Sequence, residues 1–145
     1  MQSIVDRNEA GKIPAELRMQ LLARAMEVYC WLDFFGVDQH DFALRNIMAS
    51  PDQKRVVLLD FSHSIVRDLP NSRWTSLYES GPHLPPSPIQ MFQASFGSSM
   101  GGWIPGSLQV EKAQIEWLKE QWEGSRVFAP VRDKLAERLG IENSN

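Results

Sequence analysis

Asp41-Phe-Ala-Leu-Arg-Asn-Ile-Met-Ala-Ser-Pro-Asp-Gln-Lys-Arg-Val-Val-Leu-Leu-Asp60 is the stretch that decides the fold. Residues Ile47–Ala49 and Arg55–Leu59 are short, mainly apolar runs typical of strands, and the intervening Ser-Pro-Asp-Gln favours a tight turn. Two strands joined in this way form an antiparallel hairpin, whose first and last residues lie side by side. The pattern therefore predicts that Asn46, before the first strand, and Asp60, after the second, are neighbours in the folded chain.

Three side chains in this stretch have the chemistry of a phosphoryl-transfer site. Asp41 is a carboxylate, Asn46 is an amide five residues later, and Asp60 is a second carboxylate at the end of a strand. Transfer of a phosphoryl group from ATP needs a carboxylate that positions the acceptor hydroxyl, and an amide and a carboxylate that hold Mg²⁺. We find no glycine-rich loop and no strand-borne, ATP-binding lysine before Asp41, although such enzymes also use them.

A long helix is predicted immediately before this stretch. Apolar residues recur every three or four positions over residues 14–35, Pro14 suits the first helical turn, and Gly36 suits the end of the helix. The last residues of the helix, Trp31–Phe35, are apolar nearly all round. We therefore expect this end of the helix to be buried.

The rest of the chain is predicted to be a long loop followed by two helices. Residues 64–107 are rich in proline and glycine, with one short apolar patch around 89–92. Helices are predicted at 108–122, with Ser107 as N-cap, and at 130–139, ending at Gly140. We expect a mainly α fold with one short β-hairpin (α+β), in which a single domain carries the site. The expected divisions are a lead-in at 1–13, the domain at 14–140 and a tail at 141–145. Within the domain, the site hairpin is expected at 37–63 and the C-terminal helices at 108–139.

Composition excludes several classes of function. The 145 residues are 43% hydrophobic and 23% charged, with a formal net charge of −3, which argues against a nucleic-acid partner. No apolar run approaches the ~20 residues of a membrane span, and the first residues do not resemble a signal peptide. Cys30 is the only cysteine, so no internal disulfide is possible and a cytoplasmic location is expected.

Other residues allow alternative interpretations. His40 and His63 together with Asp60 could bind a divalent metal for hydrolysis, but both motifs flank predicted strands, whereas such ligands usually lie on helices. The glycine-rich stretch Gly97–Gly102 lacks the Gly-Lys-Ser/Thr ending of a phosphate-binding loop and is interpreted as flexible. Cys30 lies within the predicted helix, which indicates a packed thiol and not a nucleophile.

These motifs resemble the C-terminal lobe of the protein-kinase-like superfamily. Gly36-Val-Asp-Gln-His-Asp41-Phe-Ala-Leu-Arg-Asn46 resembles the catalytic loop, and Leu59-Asp60-Phe61-Ser62 resembles the magnesium-binding motif. The helix before them resembles the long helix that leads into the catalytic loop. A weaker similarity to kinase-like proteins of filamentous fungi lies in Ser87-Pro-Ile, Gly102-Trp-Ile-Pro and Glu116-Trp-Leu.

The resemblance implies a role for each motif residue. Asp41 would orient or deprotonate the acceptor hydroxyl, Asn46 would bind Mg²⁺, and Asp60 would bridge Mg²⁺ to the phosphates of ATP. Arg45 would contact phosphate or substrate, or else form a solvent-exposed ion pair. ATP and an unidentified hydroxyl compound are the implied partners.

Three residues depart from the protein-kinase pattern. Gln39 stands at the position of a structural histidine, and His40 replaces the arginine that pairs with a phosphorylated activation loop. Ser62 replaces a glycine, and glycine permits a positive φ that serine resists. These departures favour the atypical or small-molecule branch, which includes aminoglycoside-phosphotransferase-type proteins.

The length before the first helix also departs from the family. Only 13 residues precede it, too few for a five-stranded N-terminal lobe. We therefore expect a kinase-like C-lobe without its N-terminal lobe, inactive as an isolated chain. The alternative is a non-catalytic, pseudokinase-like binding module or gene fragment, which would dock on a protein partner through the exposed lobe interface.

Overall fold

The computed structural model describes residues 2–3, 11–66, 84–93, 96, 100 and 102–142, and the structural statements below concern these residues. Parts of several predictions lie outside them: most of the lead-in, residues 67–83 of the predicted loop, most of the glycine-rich stretch, and residues 143–145 of the tail.

The first helix, α1, spans Ala15–Phe34, one residue inside the predicted bounds at each end. It begins after Pro14 and ends before Gly36. Gly36 has a φ of 88°, a backbone conformation that glycine adopts easily because it has no Cβ atom. Its buried apolar side chains lie on one face, which comprises Met19, Leu21, Leu22, Ala25, Met26 and Cys30.

The prediction that the C-terminal end of α1 is buried is wrong. Trp31 is 37% exposed and Phe35 is 66% exposed. The rings of Trp31, Phe34 and Phe35 pack on one another instead, with centroids 5.5–5.9 Å apart. An apolar pattern shows which side chains gain by leaving water, but it does not show whether a neighbouring element is present to cover them.

Five short strands form two small antiparallel sheets. The strands are β1 (Gln2–Ser3), β2 (Val37–Asp38), β3 (Ile47–Ala49), β4 (Val56–Leu58) and β5 (Ile65–Val66). One sheet has the order β1-β3-β4, and the other pairs β2 with β5.

The predicted hairpin is confirmed as β3 and β4. Ile47 pairs with Leu58 and Ala49 with Val56, and the backbone N–H of Gln53 donates to Ser50 O at 2.8 Å to close the turn. The second strand is one residue shorter at each end than the sequence indicated. The loop prediction is wrong where β5 lies, because β5 is formed by pairing with a strand that is distant along the chain.

The remaining helices are α2 (Pro88–Phe92), α3 (Glu111–Trp122) and α4 (Asp133–Leu139). Ser107 was predicted to cap α3, but it lies in a separate 3₁₀ turn, Gly106–Leu108. The start of α4 was predicted at residue 130, but Arg132 is extended with ψ 141°, so the helix begins three residues later. Gly140 ends α4 in the left-handed conformation with φ 65°, as expected.

Two tryptophans attach the C-terminal half of the chain to α1. The indole N–H of Trp103, which is 1% exposed, donates to Arg18 O at 3.0 Å, and Arg18 Nε donates to Trp103 O at 2.8 Å. The indole N–H of Trp122 donates to Glu27 Oε1 at 2.9 Å. The result is a mixed α+β fold in which α2 packs against both α1 and α3, and small antiparallel sheets flank the predicted motifs.

None of the helices in the described ranges has both the length and the apolar character needed to cross a bilayer.

Candidate functional site

The two motif segments, residues 37–46 and 59–66, lie against each other. The pairing of β2 with β5 joins them at one point, where Asp38 is opposite Ile65. The backbone N–H of Leu59 donates to Asn46 O at 2.7 Å and joins them at a second point. Asp60 therefore follows directly on the residue that is bonded to Asn46, as the hairpin pattern predicted.

Asp41 is held by two neighbours on its own loop. Asn46 Nδ2 donates to Asp41 Oδ2 at 2.8 Å and to Asp41 O at 3.0 Å, and Asn46 is only 4% exposed. Arg45 Nη2 donates to both carboxylate oxygens of Asp41, at 2.5 and 2.6 Å. A carboxylate has about four acceptor positions. These three side-chain bonds therefore leave room for one further donor, such as a hydroxyl.

Arg45 thus forms an ion pair with the predicted catalytic carboxylate. Its side chain is 61% exposed, whereas that of Asp41 is 22% exposed. The short 3₁₀ turn Leu44–Asn46 produces this contact, because it brings residues 45 and 46 back over Asp41. The Arg45 guanidinium is held at Asp41 on the solvent side of the loop.

Asp60 is capped by Ser62. The hydroxyl and the backbone N–H of Ser62 donate to Asp60 Oδ1 at 2.6 and 3.2 Å. These two bonds, the hydroxyl first, lower the pKa of the Asp60 carboxyl below its usual value. Ser62 needs no positive φ here, because it is Asp60 that adopts one, at 55°.

Backbone strain is concentrated at the motifs. Among the described residues other than glycine, only His40, Gln53 and Asp60 have positive φ values, at 58°, 56° and 55°. Gln53 is in the hairpin turn, where such values are ordinary. His40 directly precedes Asp41, and Asp60 is itself a motif residue. Strained residues cluster at functional sites, so this distribution is consistent with a site built from these two loops.

The donor set fits a hard divalent cation. Asn46 uses its amide N–H group on Asp41, and its Oδ1 accepts no hydrogen bond from the described residues. Asp60 Oδ2 is likewise without a donor in the described ranges, since Ser62 uses only Oδ1. Carboxylate and amide oxygens are the ligands that Mg²⁺ takes in proteins. Asn46 and Asp60 therefore carry oxygen atoms of the type that the expected Mg²⁺ would take.

An aromatic cluster that was not expected from the sequence packs against the loop that carries Asp41. The rings of Tyr29, Phe42 and Phe92 lie within 4.8–5.5 Å of one another. The Tyr29 hydroxyl donates to Asp38 Oδ1 at 3.3 Å. Burial, followed by the Asp38 carboxylate, raises the pKa of Tyr29 above its usual value. The sequence signals were Phe42, directly after Asp41, and the short apolar patch that contains Phe92.

The alternative of a His-Asp hydrolase site gains no support from the geometry. His40 Nε2 lies 3.1 Å from Asp38 Oδ2, and His63 is exposed beyond β4. Nowhere in the described ranges do three His, Cys, Asp or Glu side chains gather as metal ligands would. Phe61, the remaining motif neighbour, is 44% exposed.

A cavity of about 450 Å³ lies away from these loops. It is lined by the N-terminal part of α2 and by the segment between α3 and α4, including Ser87, Trp122, Arg126 and Phe128. None of Asp41, Asn46 and Asp60 lines it. The candidate site is therefore defined by its loop geometry and ligand chemistry, not by this cavity.

Comparison of the chain with protein-family models, with curated proteins and with solved structures gives no match. Functional interpretation of the site depends on its residues and their geometry alone.

Proposed function

We propose that this chain is a kinase-like C-terminal lobe whose two loops bind Mg²⁺ and ATP, within a protein that transfers the γ-phosphoryl group to a hydroxyl. The observation that carries the proposal is the arrangement of Asn46: buried, bonded to Asp41 through its nitrogen, and with its oxygen unused by any described donor. Asp60, held in a strained conformation on the adjoining segment, supplies the second ligand.

Each residue has a distinct task in this proposal. Asp41 accepts a hydrogen bond from the acceptor hydroxyl and takes its proton as the phosphoryl group is transferred. Asn46 holds Asp41 in place and, with Asp60, provides oxygen ligands for Mg²⁺. The metal would neutralise negative charge on the phosphates. Ser62 orients the Asp60 carboxylate through two hydrogen bonds, so that its other oxygen is available.

Arg45 serves as a second clamp on Asp41. It fixes the carboxylate from the solvent side, while Asn46 fixes it from the buried side. Because the guanidinium is exposed, it can also attract the negative charge of an approaching phosphate.

Calorimetry of ATP binding, with and without Mg²⁺, tests the proposal. The chain is compared with Asp60→Asn, which keeps the shape of the side chain and tolerates a positive φ while removing the charge. Asp52→Asn is the matched control. Asp52 is an equally exposed carboxylate that also accepts a hydrogen bond from a nearby serine, but it lies in the hairpin turn.

We expect ATP binding that requires Mg²⁺, is lost in Asp60→Asn and is retained in Asp52→Asn. Equal binding by all three proteins would show that Asp60 is not a ligand. Absence of binding at millimolar ATP with Mg²⁺ would remove the proposal for this chain.

A second candidate function, a non-catalytic module that docks on another protein, is favoured by the exposed aromatic end of α1. Trp31, Phe34 and Phe35 form a cluster of rings next to the loop that carries Asp41. Exposed aromatic clusters are typical of protein interaction sites. Light scattering of the chain and of Trp31→Ser/Phe35→Ser, each with and without Mg²⁺ and ATP, tests this function. Concentration-dependent association that the double substitution removes, without nucleotide binding, would favour it.

A further inference from the structure

Two polar contacts connect Tyr29 of α1 to His40, the residue directly before Asp41. The Tyr29 hydroxyl donates to Asp38 Oδ1 at 3.3 Å, and His40 Nε2 lies 3.1 Å from Asp38 Oδ2. The Asp38 carboxylate is therefore shared, with one oxygen on the helix side and the other on the loop side. Burial and the Asp38 carboxylate raise the pKa of Tyr29, whereas the backbone N–H of His40 lowers it, as a donor close to the phenolic oxygen does.

The backbone of His40 is strained. Its φ is 58°, a left-handed conformation that is unfavourable for a residue with a Cβ atom and persists only where the surroundings hold it. The His40 side chain is 47% exposed, so its contact with Asp38 would contribute little if the carboxylate were free to move. The bond from Tyr29 fixes the carboxylate. The contact between His40 and Asp38 can therefore anchor the strained residue.

Tyr29 also contacts the residue that follows Asp41. Its ring packs edge-on against Phe42, with ring centroids 5.4 Å apart. Tyr29 is thus connected to both neighbours of Asp41, to one through Asp38 and to the other through its ring. The conformation of these two neighbours sets the direction of the Asp41 side chain, whose Oδ2 accepts from Asn46 Nδ2 at 2.8 Å.

We propose that Tyr29 is a positioning residue for Asp41. Its hydroxyl, acting through Asp38, holds His40 at positive φ and thereby directs the Asp41 carboxylate towards Asn46. Tyr29 acts through these neighbours and does not itself contact the reacting groups. The role of Asp41 in phosphoryl transfer rests on the proposed function, whereas the coupling of Tyr29 to the bond between Asp41 and Asn46 does not.

Hydrogen exchange of side-chain amides, measured by NMR on the free chain, tests this coupling. The reporter is the Nδ2 group of Asn46, which donates to Asp41 and belongs to a residue that is only 4% exposed. The Nε2 group of Gln114, a residue that is 3% exposed, donates to Leu108 O at 2.9 Å and is the matched amide elsewhere in the fold. The NOE between HN and Hα of residue 40, which is strong at positive φ, reports on the backbone directly.

The substitutions separate the hydroxyl of Tyr29 from the strain at residue 40. Tyr29→Phe removes the hydroxyl alone and keeps the ring. His40→Ala removes the contact with Asp38 and keeps the Cβ atom, whereas His40→Gly removes both and allows a positive φ without support. Ser125→Ala is the control, because it removes a hydroxyl that accepts a hydrogen bond from the Val127 N–H in the segment between α3 and α4.

We expect Tyr29→Phe and His40→Ala each to accelerate exchange at Asn46 by about tenfold, in line with the loss of one hydrogen bond, and to leave Gln114 unchanged. The NOE at residue 40 should weaken in both variants. His40→Gly should keep the exchange rate within about threefold of the native chain, because glycine adopts a positive φ easily. Adding Tyr29→Phe to His40→Gly should cause no further acceleration, and Ser125→Ala should match the native chain.

Three results would overturn the proposal. The first is native exchange at Asn46 in Tyr29→Phe. The second is equal acceleration in His40→Gly and His40→Ala, since strain at residue 40 would then play no part. The third is an undiminished effect of Tyr29→Phe in the His40→Gly background, which would show that Tyr29 acts only by general packing. Tyr29→Phe removes a single oxygen atom, so the first result decides the question even if a variant at His40 fails to fold.

Calorimetry with Mg²⁺ and ATP separates this inference from the proposed function. Asn46 is bonded to Asp41 and is a proposed Mg²⁺ ligand. If the native chain binds, Tyr29→Phe should weaken binding by roughly threefold, less than the tenfold or more that follows loss of a group bonded directly to a metal ligand. Unchanged affinity would overturn the positioning role of Tyr29 in the site. If the native chain does not bind, the proposed function fails, while the exchange measurements still decide whether Tyr29 is coupled to Asp41.

Discussion

Replacing Asn46 with alanine should destabilise the protein measurably, because one buried amide organises the loop around Asp41. The substitution removes a hydrogen bond to a neutral carbonyl and another to a carboxylate, 3.0 and 2.8 Å long. The first contributes about 1 kcal/mol and the second about 1.5–3 kcal/mol. The Asp41 side chain is 22% exposed, so water replaces part of the second bond. We expect the free energy of unfolding to fall by about 2–3 kcal/mol.

Urea unfolding followed by tryptophan fluorescence measures this change, since five tryptophans report on the fold. The midpoint should decrease with an unchanged slope, and the thermal midpoint should fall by roughly 6–12 °C. Gln109→Ala is the matched control. It removes an exposed amide side chain and should change the stability by less than about 0.5 kcal/mol.

A loss below about 1 kcal/mol in Asn46→Ala, with the control unchanged, would refute the reasoning. It would mean that the amide of Asn46 does not hold Asp41 in solution. The interpretation of Asn46 as both the organiser of Asp41 and a cation ligand would then fail.

Three further expectations follow from individual contacts. The Cys30 thiol is 0% exposed and burial raises its pKa, so it should react with a thiol reagent such as dithionitrobenzoate only when the chain unfolds; rapid reaction under native conditions would contradict this. Ser62→Ala should raise the pKa of Asp60 towards its usual value in a ¹³C-NMR titration, because the hydroxyl bond is lost. A carboxyl whose pKa is lower in the folded state stabilises the protein at pH values above the unfolded pKa of Asp, and this contribution is lost as the pH falls through the folded pKa. Ser62→Ala should therefore make stability depend less steeply on pH on the acid side. An unchanged pKa of Asp60 in Ser62→Ala would show that the Ser62 hydroxyl does not bond to Asp60. Trp122→Phe should cost roughly 1–3 kcal/mol in urea unfolding, because it removes the bond to Glu27 and part of a buried ring; a neutral effect would exclude that bond as a stabilising link.

Local sequence signals predicted much of the framework. The bounds of α1 follow from helical periodicity with Pro14 and Gly36 at its ends, and the β3–β4 hairpin follows from two apolar runs around a Pro-Asp turn. These features depend on residues that are close together in the chain, so local sequence patterns are enough to predict them. The start of α3 was less predictable, because a 3₁₀ turn displaced it to Glu111.

Contacts between distant segments could not be predicted in the same way. The exposed ring cluster at Trp31 results from the lack of a covering element among the described residues, and β5 exists only through its pairing with β2. The hydrogen bond from Gln39 Nε2 to the Leu59 carbonyl joins residues twenty positions apart. Such contacts depend on how whole elements pack, and no local pattern encodes that arrangement.

For the candidate site, the sequence alone determined which chemical groups are present and in what order: the carboxylate of Asp41, the amide of Asn46 and the carboxylate of Asp60. Only the tertiary structure decided how these groups are directed. It turned the nitrogen of Asn46 towards Asp41, placed Arg45 on the same carboxylate, and held Asp60 at a positive φ. The reason is physical: residue identity sets what each side chain can donate or accept, whereas the direction of a hydrogen bond depends on the three-dimensional position of its partner.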